Sequence, residues 1–112
     1  MFKITLSPIA GTKDTQISAS GSVLTIDGDE VDFSEIEEGG SAEGFDKIQG
    51  VIKNIDGVYF LTVLYNYNLE TSELIQSPNI DDYVVKLIKG EIKSPIIKRQ
   101  VIENNAGETE NV

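Results

Sequence analysis

The side chains best equipped for chemistry in this chain are carboxylates, and they crowd into one stretch. From Asp27 to Asp46 there are nine acidic residues and no basic one. Asp27, Asp29, Glu35 and Glu38 are spaced like parts of a calcium loop. An EF-hand also needs a ligand at its fifth position and Gly at its sixth, and Val31 and Asp32 stand there. Val31 is wanted on an apolar face, so a hairpin turn accounts for the spacing better. Glu37–Glu38 and Asp81–Asp82 are adjacent carboxylates. Glycoside hydrolysis needs two carboxyl groups facing each other across a cleft, whereas neighbours on a strand point to opposite faces. Gly39, Gly40 and Gly44 do not make a phosphate loop, because no Lys-Ser/Thr follows and the surroundings are acidic. The chain has no Cys and no His. That excludes disulfides, thiolate metal sites, the commonest general base and any Ser-His-Asp or Cys-His arrangement. The composition points away from catalysis and implies no cofactor. Of the four tyrosines, Tyr59 and Tyr65 belong to the core by their spacing, and Tyr67, between two asparagines, is the candidate surface ring.

These residues must be positioned by strands. Ile48 to Tyr67, the longest apolar run, holds Asp56-Gly57 near its middle. Asp-Gly between β-branched and aromatic runs is a hairpin signal, since a type I′ turn needs positive φ at both central residues. Such a turn sets Ile55 opposite Val58, Asn54 opposite Tyr59, Lys53 opposite Phe60 and Ile52 opposite Leu61. One face then carries Ile48, Ile52, Tyr59, Leu61, Val63 and Tyr65. The other carries Val51, Ile55, Val58, Phe60 and Leu64, with Lys53 and Thr62 among them. Apolar residues on both faces predict a central hairpin covered on both sides. Ser22 to Phe33 repeats the device around Asp27-Gly28. There Leu24, Ile26, Val31 and Phe33 share one face, and Val23, Thr25, Glu30 and Asp32 the other. This cleaner alternation predicts a half-exposed hairpin.

Phe2, Ile4 and Leu6 alternate with polar residues and predict a first strand that Pro8 ends or marks as an edge. Thr15 to Ala19 reads as a short strand with Ile17 inward. Ser34 to Lys47 reads as an acidic loop with one helical turn at most, anchored by Ile36 and Phe45. Asn66 to Pro78 is polar and turn-rich. Asp81 to Gly90 has the end signals of a helix but the β-branched content of a strand, and the strand is preferred, with Tyr83, Val85 and Leu87 on one face. Glu91 to Ile102 contains Pro95 and reads as an edge strand with Ile96, Ile97 and Val101 half-buried. The expectation is one all-β domain over residues 1–102, a small antiparallel two-layer sandwich or roll built on two Asp-Gly hairpins, with one short helix as the only alternative element. Residues 103–112, with almost nothing to bury, are expected to be a disordered acidic tail.

The net charge of −10 disfavours direct nucleic-acid binding, which needs a basic surface. No apolar run approaches the roughly 20 residues that cross a bilayer, and MFKITLSP lacks the apolar segment of a signal peptide. Against the acidic stretch stands a basic one: Lys86 to Arg99 has five basic residues and only Glu91 acidic. Glu35, Glu37, Glu38, Glu43, Asp46 and Tyr67 make up the candidate interaction surface.

LTIDGDEVDFSEIEEG at 24–39 resembles the hairpin-and-loop pattern of a group of small tail-region proteins of tailed bacteriophages and prophages. In that group a Leu-Thr-Ile-Asn/Asp-Gly turn leads into a Phe-Asp-Phe-Ser-like strand, here Val31-Asp32-Phe33-Ser34. IDGVYFLTVLYNYN at 55–68 and KITLSP at 3–8 are similar as well. The chain departs from the group at Asn66-Tyr67-Asn68, where a Pro-His-Gly-Pro-like turn is usual. The resemblance implies a non-enzymatic, tail-associated structural or assembly protein. It would be made in the bacterial cytoplasm, be associated with the virion, and act through contacts with tail components or itself. The acidic stretch supplies the alternative of a host-directed inhibitor that imitates nucleic acid. A small carboxylate hydrolase is the third reading and requires a pocket.

Overall fold

The computed structural model describes residues 1–99. In chain order these form β1 (Phe2–Gly11), β2 (Ile17–Ser20), β3 (Val23–Ile26), β4 (Asp29–Asp32), β5 (Ser41–Ala42), β6 (Ile48–Ile55), β7 (Val58–Asn68), a 3-10 turn (Ile80–Tyr83), β8 (Val84–Leu87) and β9 (Gly90–Glu91). The strands make two sheets, ordered β5-β6-β7-β1-β8 and β4-β3-β2-β9. The expected all-β, two-sheet architecture is what the chain adopts. The boundary at 102, Val101 and the tail 103–112 lie outside the described residues.

Both Asp-Gly pairs form the expected turns. Asp27 and Gly28 have φ of 51° and 88°, and Asp56 and Gly57 have 53° and 81°. Positive φ at both central residues twists the turn with the strands it joins. The pairings follow: Leu24 faces Val31, Asn54 faces Tyr59 and Lys53 faces Phe60. The β6–β7 ladder is interrupted between Gln49 and Lys53, where Gly50 takes φ of 68°. Ile52 therefore falls in the bulge instead of in a regular pair with Leu61. The bulge leaves the sidedness intact, because Ile48 and Ile52 are both buried.

Between the sheets, Phe2, Ile4, Leu6, Leu61, Val63 and Tyr65 from the first meet Ile17, Ala19, Leu24 and Ile26 from the second. Phe33, directly after β4, joins the layers. Its ring lies edge-on to Phe2 at 5.6 Å and to Tyr59 at 5.4 Å, and tilted against Phe45 at 6.2 Å. Such aromatic geometries add to the area they bury.

Local patterns did not foretell the long-range pairing. β1 runs parallel to β7 along its whole length, from Phe2 opposite Tyr59 to Gly11 opposite Asn68. The first sheet is thus mixed, with one parallel pair among antiparallel ones. The chain between them builds β2, β3 and β4 of the second sheet and β5 and β6 of the first, so the parallel pair is closed by a long excursion, as parallel strands require. Asn66-Tyr67-Asn68 is the end of β7 and not a turn. β8 pairs only with Phe2 to Thr5, so the rest of β1 has a single neighbour. The Met1 carbonyl accepts from the Tyr59 amide of β7 and the Gly11 carbonyl from the Leu69 amide just after it, so the backbone of odd-numbered β1 residues bonds toward β7 and that of even-numbered ones points away. Pro8 is even-numbered: its missing N–H falls on the open edge, where it withholds a donor from any incoming strand.

In the 81–90 segment the strand reading holds for Val84–Leu87, with Tyr83 and Leu87 buried and Val85 half-buried. The helix-like end signal is spent on the 3-10 turn before it, capped by Asn79, whose side chain accepts from the Asp81 amide. The acidic loop has no helical turn; it holds the two-residue strand β5 instead. Of the expected 91–102 edge strand, Glu91 belongs to β9, Ile96 is buried and Ile97 is 45% exposed, and beyond β9 the described residues there make only an isolated bridge, Ser72 with Lys98.

The expected cover on both sides of the central hairpin is overturned. The second face of the central hairpin is not covered. Val51 and Ile55 are 42% and 48% exposed, and Val58, Phe60 and Leu64 are half-buried. The second sheet lies across one side of the first only, so the apolar residues on the other side face outward.

Candidate functional site

The acidic stretch leaves β4 at Asp32 and returns to the sheet at Ile48. Asp32 fixes its start: Oδ1 accepts from the Ser34 amide at 2.9 Å and from the Ser22 hydroxyl at 3.0 Å. Those bonds, from Ser34 first and Ser22 after it, hold this exposed carboxyl below its ordinary value. The middle is pinned by Asn54, a buried amide on β6. Its Nδ2 donates to the Ile36 carbonyl at 2.7 Å, and its Oδ1 accepts from the Gly57 amide at 3.1 Å. Its backbone also bonds both ways, accepting from Gly39 and donating to Gly40. Between them the loop makes a tight turn, the Gly40 amide donating to the Glu37 carbonyl at 2.7 Å. A Cβ at position 40 would stand 2.9 Å from that carbonyl oxygen, so only glycine fits. Ile36 and Phe45 pack down on the core as expected.

Glu35, Glu37, Glu38, Glu43 and Asp46 are all exposed. Glu35 and Glu37 rim an open hollow with Asp32, floored by Ile36 and Phe45. Asp46 borders a different hollow with Asp29, on the other side of Phe45. The structure does not add Tyr67 to this surface. Tyr67 is half-buried against the core and sits opposite Ala10. Along β7 it is eight positions beyond Tyr59, the partner of Asn54, or roughly 26 Å at strand rise. The polar neighbours that suggested a surface ring are strand residues. Among the described residues no group of three or more carboxylates is placed to hold a metal ion.

Asp27, the first residue of the calcium-like spacing, is engaged otherwise. Its Oδ1 accepts from the Gln16 amide at 2.9 Å and its Oδ2 pairs with Lys47. Burial pushes its pKa up, but the Gln16 bond and the Lys47 bond and charge outweigh this, and the net displacement is downward. Asp14 is balanced in the same way, burial opposed by Lys98 and by the Asn68 amide, and is also lowered. A carboxyl lowered on folding stabilises the fold above its unfolded value of about 3.9, and that stabilisation is lost as pH falls through the folded value. Asp27→Asn keeps an oxygen for Gln16 and suits positive φ, so it removes the charge pairing alone. The expected result is up to about 1 kcal/mol less stability at neutral pH, and a shallower loss between neutral pH and pH about 3, read from urea unfolding at both ends.

The candidate surface that sequence reasoning missed is the uncovered face of the first sheet. Lys53 stands opposite Phe60, Phe60 opposite Lys3, and Lys3 opposite Lys86, one row across four strands. The Lys3 ammonium lies 5.6 Å from the centre of the Phe60 ring. Val51, Thr62, Thr5 and Val84 flank this row in a shallow depression. The signal was present as an apolar alternation on both faces of one hairpin, but the partner strands that bring the lysines into line are distant in sequence. No match was found among protein-family models, curated proteins or solved structures.

Proposed function

We propose that this protein is a non-enzymatic assembly module that works by protein–protein contact. The observation that carries this reading is the outer face of the five-stranded sheet, where exposed Val51 and Ile55 and half-buried Phe60 lie among lysines. An apolar patch rimmed by polar groups is the usual mark of an interaction site. The hollows give little support to catalysis. They are shallow, and the carboxylates that border them are exposed or, at Asp14 and Asp27, tied up in ion pairs with Lys98 and Lys47. The likeness of 24–39, 55–68 and 3–8 to small phage tail-region proteins favours a tail structural or assembly role. It also favours cytoplasmic synthesis in a bacterium and a place with the virion.

The acidic surface supports a second reading, a host-directed inhibitor that imitates nucleic acid, since Glu35 and Glu37 project from a loop held firmly by Asn54. A photo-crosslinking residue at position 51, and separately at position 37, distinguishes the two in infected or induced cells. Adducts from position 51 with tail proteins are the expected result. Adducts confined to position 37 and to a nuclease or polymerase would replace the first reading by the second.

A further inference from the structure

We propose that the lysine-bearing outer face of the first sheet docks on the acidic loop surface of a second copy of this chain, head to tail. This rests on the protein–protein reading above and names the partner.

The two surfaces are complementary in charge. At the outward positions of β1, β6, β7 and β8 there are three lysines and no Asp or Glu. Among the described residues the ion pairs are Lys47 with Asp27 and Lys98 with Asp14. Among the described residues, then, no carboxylate forms an ion pair with Lys3, Lys53 or Lys86. The acidic stretch is the reverse, since only Asp27 is matched, by Lys47. The surfaces also agree in their apolar parts. Phe60 and Val51 stand between the lysines, and Ile36 and Phe45 floor the hollow between Asp32, Glu35 and Glu37. Apolar centres ringed by opposite charges give both burial and register. Edge-to-edge strand pairing is the less apt route, because Pro8 removes an outward donor from the exposed half of β1.

Because the two surfaces differ and lie on one molecule, the contact is heterologous. It closes into a ring if the rotation between copies allows, and otherwise extends as a filament. Its salt dependence should have two sides. Each copy carries a net charge of −10. At about 0.01 M salt the screening length is about 30 Å, so whole molecules repel. At about 0.15 M it is about 8 Å, so only facing groups interact, and near 1 M these too are screened. Association is strongest in the middle of this range.

Sedimentation velocity on the full chain tests the proposal, with circular dichroism confirming that each variant folds. The wild type should sediment as more than a monomer at about 0.15 M salt and less so at either extreme. Lys53→Glu/Lys86→Glu and Glu35→Lys/Glu37→Lys should each be monomeric alone. Mixed in equal amounts, they should associate again, because in the mixture each altered surface meets one of opposite charge. A wild type that stays monomeric at every salt concentration overturns self-docking. Crosslinks from position 51 to a different protein would then leave the contact reading standing. Association unaltered by either pair of substitutions also overturns it. So does a monomer that binds a single-stranded oligonucleotide through Lys53 and Lys86.

Discussion

Phe33→Ala is expected to destabilise the protein by about 3–5 kcal/mol, the range for removing a buried aromatic ring. Phe33 is fully buried and is the one ring in contact with Phe2, Tyr59 and Phe45 together. Phe2 belongs to β1 and Tyr59 to β7, so the ring joins the second sheet's outgoing chain to the parallel pair at the centre of the first. Phe45 anchors the acidic loop to the same cluster. The void left by alanine would lie between elements fixed by their own ladders, which limits collapse. For a domain of this size the loss corresponds to a fall of at least about 12 °C in Tm. Phe60→Ala is the matched comparison. Phe60 is half-buried on the uncovered face and should cost less than half as much. Thermal unfolding followed by circular dichroism compares them, and equal losses would mean that the outer face is covered after all.

The second large effect is expected at Asn54. Replacing it by Leu keeps the bulk but strands the Ile36 carbonyl and the Gly57 amide. The half-buried Ile36 carbonyl left without a partner costs about 1–3 kcal/mol, whereas the Gly57 amide lies in an exposed turn where water replaces the lost bond, so the loss is about 1–3 kcal/mol, with the acidic loop released from β6. Asn54→Asp separates the two bonds. It keeps an acceptor for Gly57 but sets a carboxylate oxygen against the Ile36 carbonyl, where a donor stood at 2.7 Å. The ionised form is disfavoured in the folded state, so the folded pKa of this new carboxyl rises above its unfolded value. The sign then opposes that of Asp14 and Asp27. The penalty is full above the folded pKa and is relieved as pH falls toward the unfolded value, because the protonated acid can donate to Ile36 again. Relative to wild type, Asn54→Asp should regain stability between neutral pH and pH about 4. Urea unfolding across that range measures it, and a parallel pair of profiles would show that the Ile36 bond contributes nothing.

The amino-acid sequence by itself determined whatever depends on near neighbours. Asp27-Gly28 and Asp56-Gly57 dictate their turns because positive φ is cheap there and nearly nowhere else in the two runs. A two-residue turn then sets the register of the strands it joins, which is why Leu24–Val31 and Lys53–Phe60 were legible. The buried alternation of Phe2, Ile4 and Leu6 was legible for the same reason, and so was the anchoring of the acidic loop by Ile36 and Phe45. Tertiary structure alone decided the parallel pairing of β1 with β7, because no local pattern says which distant strand will lie alongside. That pairing turns Asn66-Tyr67-Asn68 into strand and buries Tyr67 in part. It also decided that the second sheet covers one face of the central hairpin and not both. Apolar alternation states that a face avoids water, but not what will meet it. On this chain the unmet face gathers Lys3, Lys53 and Lys86 around Phe60 from strands far apart in sequence.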